Sequence, residues 1–188
     1  MDHIFDKYLP DGPFQPIPTD PMTKRYLDEF ENDSPAIETT KFRSLLGALM
    51  QLNDVRADIV FPLSKIATKT SHPRQSDYDA LIHMVHYLYG TRDRGLHLRP
   101  GDRASASTFI KLRAYADCGN ANHVDGRSQY CVCFDIVPQT ECEDELNSLQ
   151  RWWKNGMFYY RSWLAPTVDL SSTEGECGVV VEALCNYK

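Results

Sequence analysis

Apolar residues first recur at helical spacing in the segment that starts near Thr39. They lie three or four positions apart and would line one face of a helix: Phe42, Leu45, Leu46, Leu49 and Met50. A second stretch, "ADIVFPLSKIATKT", continues the apolar character, with Pro62 placed for the first turn of a helix. A third, "SHPRQSDYDALIHMVHYLYGT", repeats the spacing and ends near Gly90. The pattern therefore predicts that residues 41–91 are mainly helical.

After the turn-rich join "RPGDRASAS", the apolar spacing changes from about 3.6 to about 2 residues. Four small or apolar residues alternate there with larger or polar ones: Ile110, Leu112, Ala114 and Ala116. This alternation predicts a strand that ends at Asp117. The segments "SQYCVCFDIV" and "GMFYYRSWLA" predict two more strands, separated by a polar loop. Ser171 followed by Glu174 fits a capping box, so we expect a final helix from about Ser171.

The prolines set the N-terminal segment apart from the rest. Residues 1–40 contain six of the eleven prolines and the acidic run "LDEFENDS", which predicts an extended arm with little regular structure. A helical segment over 41–100 and a unit over 101–188 would follow. In the second unit we expect a three-stranded antiparallel meander and then a helix. The predicted fold class is therefore α+β.

Composition narrows the function classes. With 42% hydrophobic and 11% aromatic residues the chain is typical of a folded globular protein. Its net charge of −6 disfavours a general electrostatic nucleic-acid binder, although a local basic patch is compatible with it. No apolar run approaches the roughly 18 residues of a membrane span, and "MDHIFDKYLP" lacks a signal pattern. We expect an intracellular protein, cytoplasmic or nuclear, that is neither secreted nor membrane-bound.

Four blocks, in the same order, resemble copia-type retrotransposon polyproteins. "FRSLLGALMQLNDVRADIVFPLSKI" resembles Y-R-S-L-x-G-x-L-x-Y-L-x-x-x-T-R-P-D-I-x-F, with Arg56 and Asp58 matched and Ala57 in place of proline. "HYLYGTRDRGL" resembles R-Y-L-K-G-T-x-D-x-G-L. "LRAYADCGNA" is similar to G-Y-S-D-A-D-W-A, and "VDLSSTEGE" to A-L-S-S-T-E-A-E. The blocks together span about Lys41 to Lys188.

The resemblance implies a function for each half of the chain. Residues 41–100 would correspond to the thumb or connection region of a reverse transcriptase, and 101–188 to the opening half of a ribonuclease H domain. Such a domain cuts the RNA strand of an RNA–DNA hybrid with two Mg²⁺ ions, which need clustered oxygen ligands. Of the acids in "VDLSSTEGE", the resemblance assigns Glu176 to catalysis and metal binding. It gives the same role to Asp117, whereas Glu174 is assigned to the helix cap.

Departures from the family pattern leave three functions open. The family has further metal-binding aspartates after the first helix, beyond the position of Lys188, and Cys118, Gly119 and Asn120 replace the residues around another aspartate. We therefore expect a catalytically incomplete fragment that binds Mg²⁺ weakly. The first alternative is an active ribonuclease H whose missing acids come from another segment or chain. The second is a repurposed structural or interaction subunit, in an oligomer or a complex.

An aromatic and basic stretch, "RWWKNGMFYY", supplies the candidate contact surface. Cationic and aromatic side chains could stack on the bases of an RNA–DNA hybrid or anchor another protein chain: Arg151, Trp152, Trp153 and Lys154. The competing interpretation is that the alternate aromatic residues of the third strand fill the core.

Overall fold

The computed structural model describes residues 1–13, 16–23, 34–95, 110–121, 123, 125–138 and 157–186. These residues form five α-helices: α1 (Asp2–Tyr8), α2 (Thr39–Met50), α3 (Val60–Ala67), α4 (Gln75–Gly90) and α5 (Ser172–Asn186). They also form three strands: β1 (Ile110–Gly119), β2 (Gln129–Pro138) and β3 (Met157–Leu164). A short 3₁₀ helix, Ala57–Ile59, leads into α3. The chain divides into two compact units, Met1–Gly95 and Leu96–Lys188.

The first unit is held by the apolar faces of α2, α3 and α4. The positions that predicted these helices are buried in one cluster, which includes Phe42, Leu45, Leu49, Ile66 and Leu81. Burying each such side chain contributes about 1.5–3 kcal/mol. The predicted helical character of residues 41–91 is confirmed, and α4 ends at Gly90 as expected.

At the N-terminus the structure differs from the expected extended arm. Helix α1 occupies Asp2–Tyr8, and Phe5 and Leu9, one helical turn apart, are buried in the core of the first unit together with Met22. Apolar contact with α4 outweighs the tendency of the prolines to keep this segment extended. Most of the acidic run "LDEFENDS" lies outside the described residues.

A buried polar network joins the loop before α3 to the end of α4. Arg56 is only 2% exposed, and its Nε and Nη2 donate to the two carboxylate oxygens of Asp58 at 2.9 and 2.7 Å. Its Nη1 and Nη2 also donate to the carbonyl and hydroxyl oxygens of Thr91, at 3.0 and 2.7 Å. The Tyr87 hydroxyl donates to Asp58 at 2.6 Å. Arg56, Asp58 and Thr91 all match the retrotransposon pattern, and this contact gives them a structural role.

The second unit contains one antiparallel sheet in the order β1-β2-β3. In its register Asp117 lies opposite Cys131, which lies opposite Ser162; Cys118 and Tyr130 are likewise paired one position along. The α+β class and the three-stranded meander followed by a helix are therefore confirmed. Strand β1 continues two residues past the predicted end at Asp117.

Helix α5 begins at Ser172, directly after Ser171, which caps the helix as its sequence predicted. The Glu174 backbone N–H donates to the Ser171 hydroxyl at 3.1 Å, and the Glu174 carboxylate accepts from the backbone N–H of Leu170 at 2.7 Å. The first bond is the one that a capping box predicts, whereas the second joins Glu174 to Leu170, one residue before the cap residue Ser171. The helix then packs on the sheet, where Val179 and Ala165 are fully buried beside Tyr130.

Among the described residues, none of the helices combines the length and the apolar character that a membrane span requires.

Candidate acidic site

Asp117 lies near the end of β1 with its carboxylate exposed. The backbone N–H of Cys118 donates to its Oδ1 at 2.9 Å. Since successive side chains of a strand point to opposite faces, Asp117 belongs to the face that carries Cys131, and Cys118 belongs to the face covered by α5. Asp117 is therefore open to solvent at one end of the sheet.

The carboxylates of Asp169, Asp117 and Glu176 lie near the thiol of Cys118. Burial raises the pKa of Cys118, a hydrogen bond with Ser128 opposes this, and the negative charges of Asp169, Asp117 and Glu176 add to the increase. Each of these acids therefore lies within electrostatic range of one sulfur atom. The structure brings Asp117 and Glu176 to the same end of the sheet, although 59 positions separate them (176 − 117).

Glu176 is exposed on α5, on the side of the sheet that Cys118 faces. Asp117 and Glu176 therefore approach the end of β1 from opposite sides. A shared Mg²⁺ with ligand bonds of about 2.1 Å would have to sit at the strand end, within reach of both carboxylates. Within the part of the chain that the structure describes, no three Asp, Glu, His or Cys side chains converge in a metal-binding arrangement.

Asp169 is a constituent of this region to which the sequence assigned no role. Its Oδ1 accepts a hydrogen bond from the Tyr130 hydroxyl at 2.8 Å, whereas its Oδ2 is buried and has no hydrogen-bond partner among the described residues. Hydrogen bonding and burial together raise the pKa of Tyr130, with burial the larger cause. The partners are 39 residues apart, and no local pattern in the sequence signals such a pairing.

A chain of polar side chains fixes the β1–β2 hairpin on the Asp117 face. His123 Nε2 lies 2.8 Å from Gln129 Oε1, and Gln129 Nε2 donates to the Ser162 hydroxyl at 2.7 Å. Ser162 in turn donates to the backbone carbonyl of Tyr130 at 3.1 Å. These bonds hold the strand ends together beside Asp117.

The oxygen ligands suit Mg²⁺ in chemical type. Asp117 and Glu176 offer exposed carboxylates, and Asp169 Oδ2 is a buried oxygen without a hydrogen-bond donor. Hard carboxylate oxygens are the ligands that Mg²⁺ prefers. Asp117 and Glu176 are therefore the residues that would hold such an ion at this end of the sheet.

The predicted contact residues Arg151, Trp152, Trp153 and Lys154 lie outside the described residues. Two aromatic residues of β3, Tyr159 and Trp163, pack within the second unit, whereas Phe158 is 36% exposed. Tyr159 lies 5.5 Å from Phe134 between ring centroids, and Trp163 lies 5.9 Å from Tyr130. Trp163 also donates to Glu182 at 2.6 Å.

The outer face of α5 is apolar and open to solvent. Its side chains, at helical spacing, are exposed by 45% at Val180, 58% at Val181 and 69% at Leu184, and Cys177 belongs to the same stripe. We call these four residues the outer stripe. None of them carries a charge, which is unusual for the solvent-facing side of a surface helix.

Comparison with known proteins finds relatives among retrotransposon polyproteins. The chain is 28% identical over 88 residues to the retrovirus-related Pol polyprotein from transposon RE2 of Arabidopsis thaliana. It is 26% identical over 107 residues to the corresponding polyprotein from transposon RE1 of the same plant. The matches cover 47% and 57% of this chain, and the predicted resemblance to a retrotransposon polyprotein is thereby confirmed.

The chain spans only 6% and 7% of the length of those two polyproteins. It is also 28% identical over 89 residues to an uncharacterized mitochondrial protein of Arabidopsis thaliana, of which the match covers 75%. No family model matches the sequence. No solved structure matches it either.

Proposed function

We propose that this chain is a retrotransposon-derived segment that joins a helical unit, like the end of a copia-type reverse transcriptase, to a ribonuclease H-like unit. It acts by binding an RNA–DNA hybrid or another protein chain, and it does not cleave the hybrid efficiently by itself. The observation that supports this proposal is the contact of α5 with β1, in which Gly175, next to Glu176, packs against Cys118, next to Asp117.

The placement of the two carboxylates explains the expected lack of efficient cleavage. Two-metal hydrolysis uses one ion to activate the attacking water and a second to stabilise the leaving oxygen. Two Mg²⁺ ions carry four positive charges, and Asp117 and Glu176 supply two negative ones. The three other acids in or just before α5 are engaged: Glu174 in the helix cap, Glu182 with Trp163 and Asp169 with Tyr130. We therefore expect a single weakly held ion.

Metal binding can be measured with Mn²⁺ as the probe, by electron paramagnetic resonance on the full chain. We expect a dissociation constant on the order of 1 mM, typical of weak carboxylate sites. Asp117→Asn and Glu176→Gln should each weaken it further. Asp125→Asn is the matched control, because Asp125 is an exposed carboxylate of the adjacent hairpin that pairs with Arg127 at 2.6 Å. Equal affinity in all four proteins would contradict the assignment.

Cleavage is tested with an RNA–DNA hybrid labelled on its RNA strand, in the presence of Mg²⁺. Wild-type protein should cut no faster than Asp117→Asn, while fluorescence anisotropy detects binding of the hybrid. Robust hydrolysis that Asp117→Asn or Glu176→Gln abolishes would instead establish an active ribonuclease H. Failure to bind the hybrid would leave protein binding as the remaining function.

The outer stripe favours a second candidate function, a structural or interaction subunit. We propose that a second copy of the chain covers the stripe. Its four uncharged side chains let two α5 helices approach without repulsion between like charges. In an antiparallel pair, Cys177 would face Leu184 of the other copy and Val180 would face Val181, as expected for an interface with two-fold symmetry.

Self-association is expected to depend on Val181. In analytical ultracentrifugation, Val181→Glu should weaken dimerisation at least about tenfold, because a buried carboxylate would face apolar side chains. Val55→Glu is the matched control, since Val55 is similarly exposed at 50% but belongs to the first unit. A wild-type protein that stays monomeric at every concentration would eliminate the self-association proposal.

A further inference from the structure

We propose that Gly175 and Gly178 of α5 form a fitted contact with Cys118 and Tyr130 of the sheet, and that this contact sets the position of Glu176 relative to β1. Within it, Cys118 and Gly175 act as a matched pair, in which the cysteine side chain on the strand requires a glycine on the helix. The role given to Glu176 rests on the proposed function, whereas the matched packing does not.

Gly175 has no room for a side chain. A Cβ built at this position would overlap the sulfur of Cys118, and it would lie 3.1 Å from Asp169 Oδ2. Cys118 packs in the small core between the sheet and α5, so its sulfur is enclosed on the side that faces the helix. The strand side chain therefore occupies the space that a helix side chain would normally fill.

Gly178 repeats this arrangement one helical turn later. A Cβ there would lie 2.5 Å from the hydroxyl oxygen of Tyr130 and 3.2 Å from its Cζ. The ring cannot move away freely, because Asp169 holds its hydroxyl at 2.8 Å and the Trp163 ring packs nearly at a right angle to it, with centroids 5.9 Å apart. Two glycines on one face thus allow the helix to approach two side chains of the sheet.

Glycine weakens a helix interior relative to alanine, so its presence at both contact positions indicates a packing requirement. The resembled patterns S-D-A-D and S-T-E-A-E carry alanine at the positions of both Cys118 and Gly175. This chain has a larger residue on the strand and a smaller one on the helix. The larger side chain of Cys118 fills the space that the loss of a methyl group at Gly175 leaves free. The two departures from the family pattern therefore compensate each other across the contact.

The consequence for the candidate site follows from chain connectivity. Glu176 is bonded directly to Gly175 and precedes Gly178 by two residues, so both contacts fix the height of its backbone above the sheet. Asp117 is bonded to Cys118 on the opposite side of the same contact. A shift of α5 away from β1 would therefore separate the two carboxylates.

A double-mutant cycle tests the matched pair in the full chain. Thermal unfolding of the second unit is followed by hydrogen exchange for the wild type, Gly175→Ala, Cys118→Ala and the double variant. Gly175→Ala should lower the midpoint by about 4–10 °C, as overpacking does in a small unit. Adding Cys118→Ala should restore most of that loss, because it removes the sulfur that overlaps the new methyl group.

Gly47→Ala provides the control for the change from glycine to alanine. Gly47 also lies inside a helix, α2, but no atom lies within 4 Å of a Cβ built there. The unfolding midpoint of the Gly47→Ala variant, measured for the first unit, should therefore stay the same or rise. If Gly175→Ala behaves like Gly47→Ala, or if the effects of Gly175→Ala and Cys118→Ala simply add, the matched pair is refuted.

The positioning role needs a second readout, which is Mn²⁺ affinity at a temperature where all variants are folded. Gly175→Ala should weaken the binding of Mn²⁺ severalfold, and the double variant should recover it. Recovery of stability without recovery of affinity would overturn the positioning role and leave the packing pair. If the wild type shows no binding that depends on Asp117, the proposed function fails while the stability cycle still decides the packing.

Discussion

Replacing Arg56 with methionine should destabilise the first unit by about 1–3 kcal/mol, the cost of leaving the carbonyl of Thr91 without its donor, because the Asp58 side chain is 29% exposed and can be solvated. The guanidinium is almost fully enclosed, and it is bound to both oxygens of Asp58 and to Thr91. Its loss leaves the Asp58 carboxylate without its cation. Since whole domains are stable by only about 5–15 kcal/mol, this change should remove a sizeable part of the stability of the unit.

The measurement is chemical denaturation of the full chain, with hydrogen exchange of peptides from α4 to identify the unit that unfolds. Arg43→Met is the matched control, because Arg43 is exposed and makes one long contact of 3.4 Å to the carbonyl of Thr70. We expect the control to change the free energy of unfolding by less than about 0.5 kcal/mol. An equally small effect of Arg56→Met would mean that the network contributes little to folding.

Local patterns in the sequence predicted the elements of the fold well. The apolar spacing through Leu45 and Leu81 gave the helices of the first unit, and the capping box at Ser171 and Glu174 gave the start of α5. Both signals act within one or two helical turns. Strand β1 is longer than predicted because pairing with β2 continues past Asp117, and the sequence of β1 alone does not contain that partner.

Contacts between distant residues could not be predicted in the same way. Arg56 meets Thr91 across 35 positions, and Tyr130 meets Asp169 across 39. Each requires a particular packing of elements before the partners are close. The burial of Phe5 in the first unit was missed for the same reason, because proline content indicates local backbone preference and carries no information on which core an apolar side chain joins.

The candidate site could be predicted in part from sequence motifs and in part only from contacts between distant residues. The resemblance selected Asp117 and Glu176 from the motifs that contain them, and this part needed only the sequence. Their approach from opposite sides of β1 depends on strand alternation and on the side that α5 covers. The packing role of Gly175 could not be predicted, because a glycine within a helical sequence has several possible explanations. The role depends on the position of the Cys118 sulfur, which only the structure shows.

Acidification should destabilise the first unit in two steps, because the buried His86 and the ion-paired Asp58 both have lowered pKa values. Burial lowers the pKa of His86, and the neighbouring His83 adds to the effect. His86 therefore takes up a proton more readily in the unfolded chain than in the folded chain. Stability from His86 is therefore present above about pH 6.5, the ordinary histidine value, and is lost as the pH falls through the lower folded value.

Asp58 accounts for the second step. Burial alone would raise the pKa of its carboxyl, but the hydrogen bonds from Arg56 and Tyr87 outweigh burial and lower it. Stability from this group is present above about pH 3.9 and is lost as the pH falls through the folded value. Protonation then leaves the buried Arg56 without its counter-charge, a situation as costly as the loss of a buried partner by mutation. We expect cooperative loss of the first unit below about pH 4.

Circular dichroism at fixed temperature, recorded from pH 8 to pH 2, measures both steps through the helices of the first unit. His86→Gln should remove the decline that begins near pH 6.5 and keep the lower transition. Asp58→Asn should be less stable at neutral pH and should lose most of the lower transition, because no carboxyl remains there to be protonated. If both variants follow the wild-type profile at all pH values, neither His86 nor Asp58 controls the acid stability of this unit.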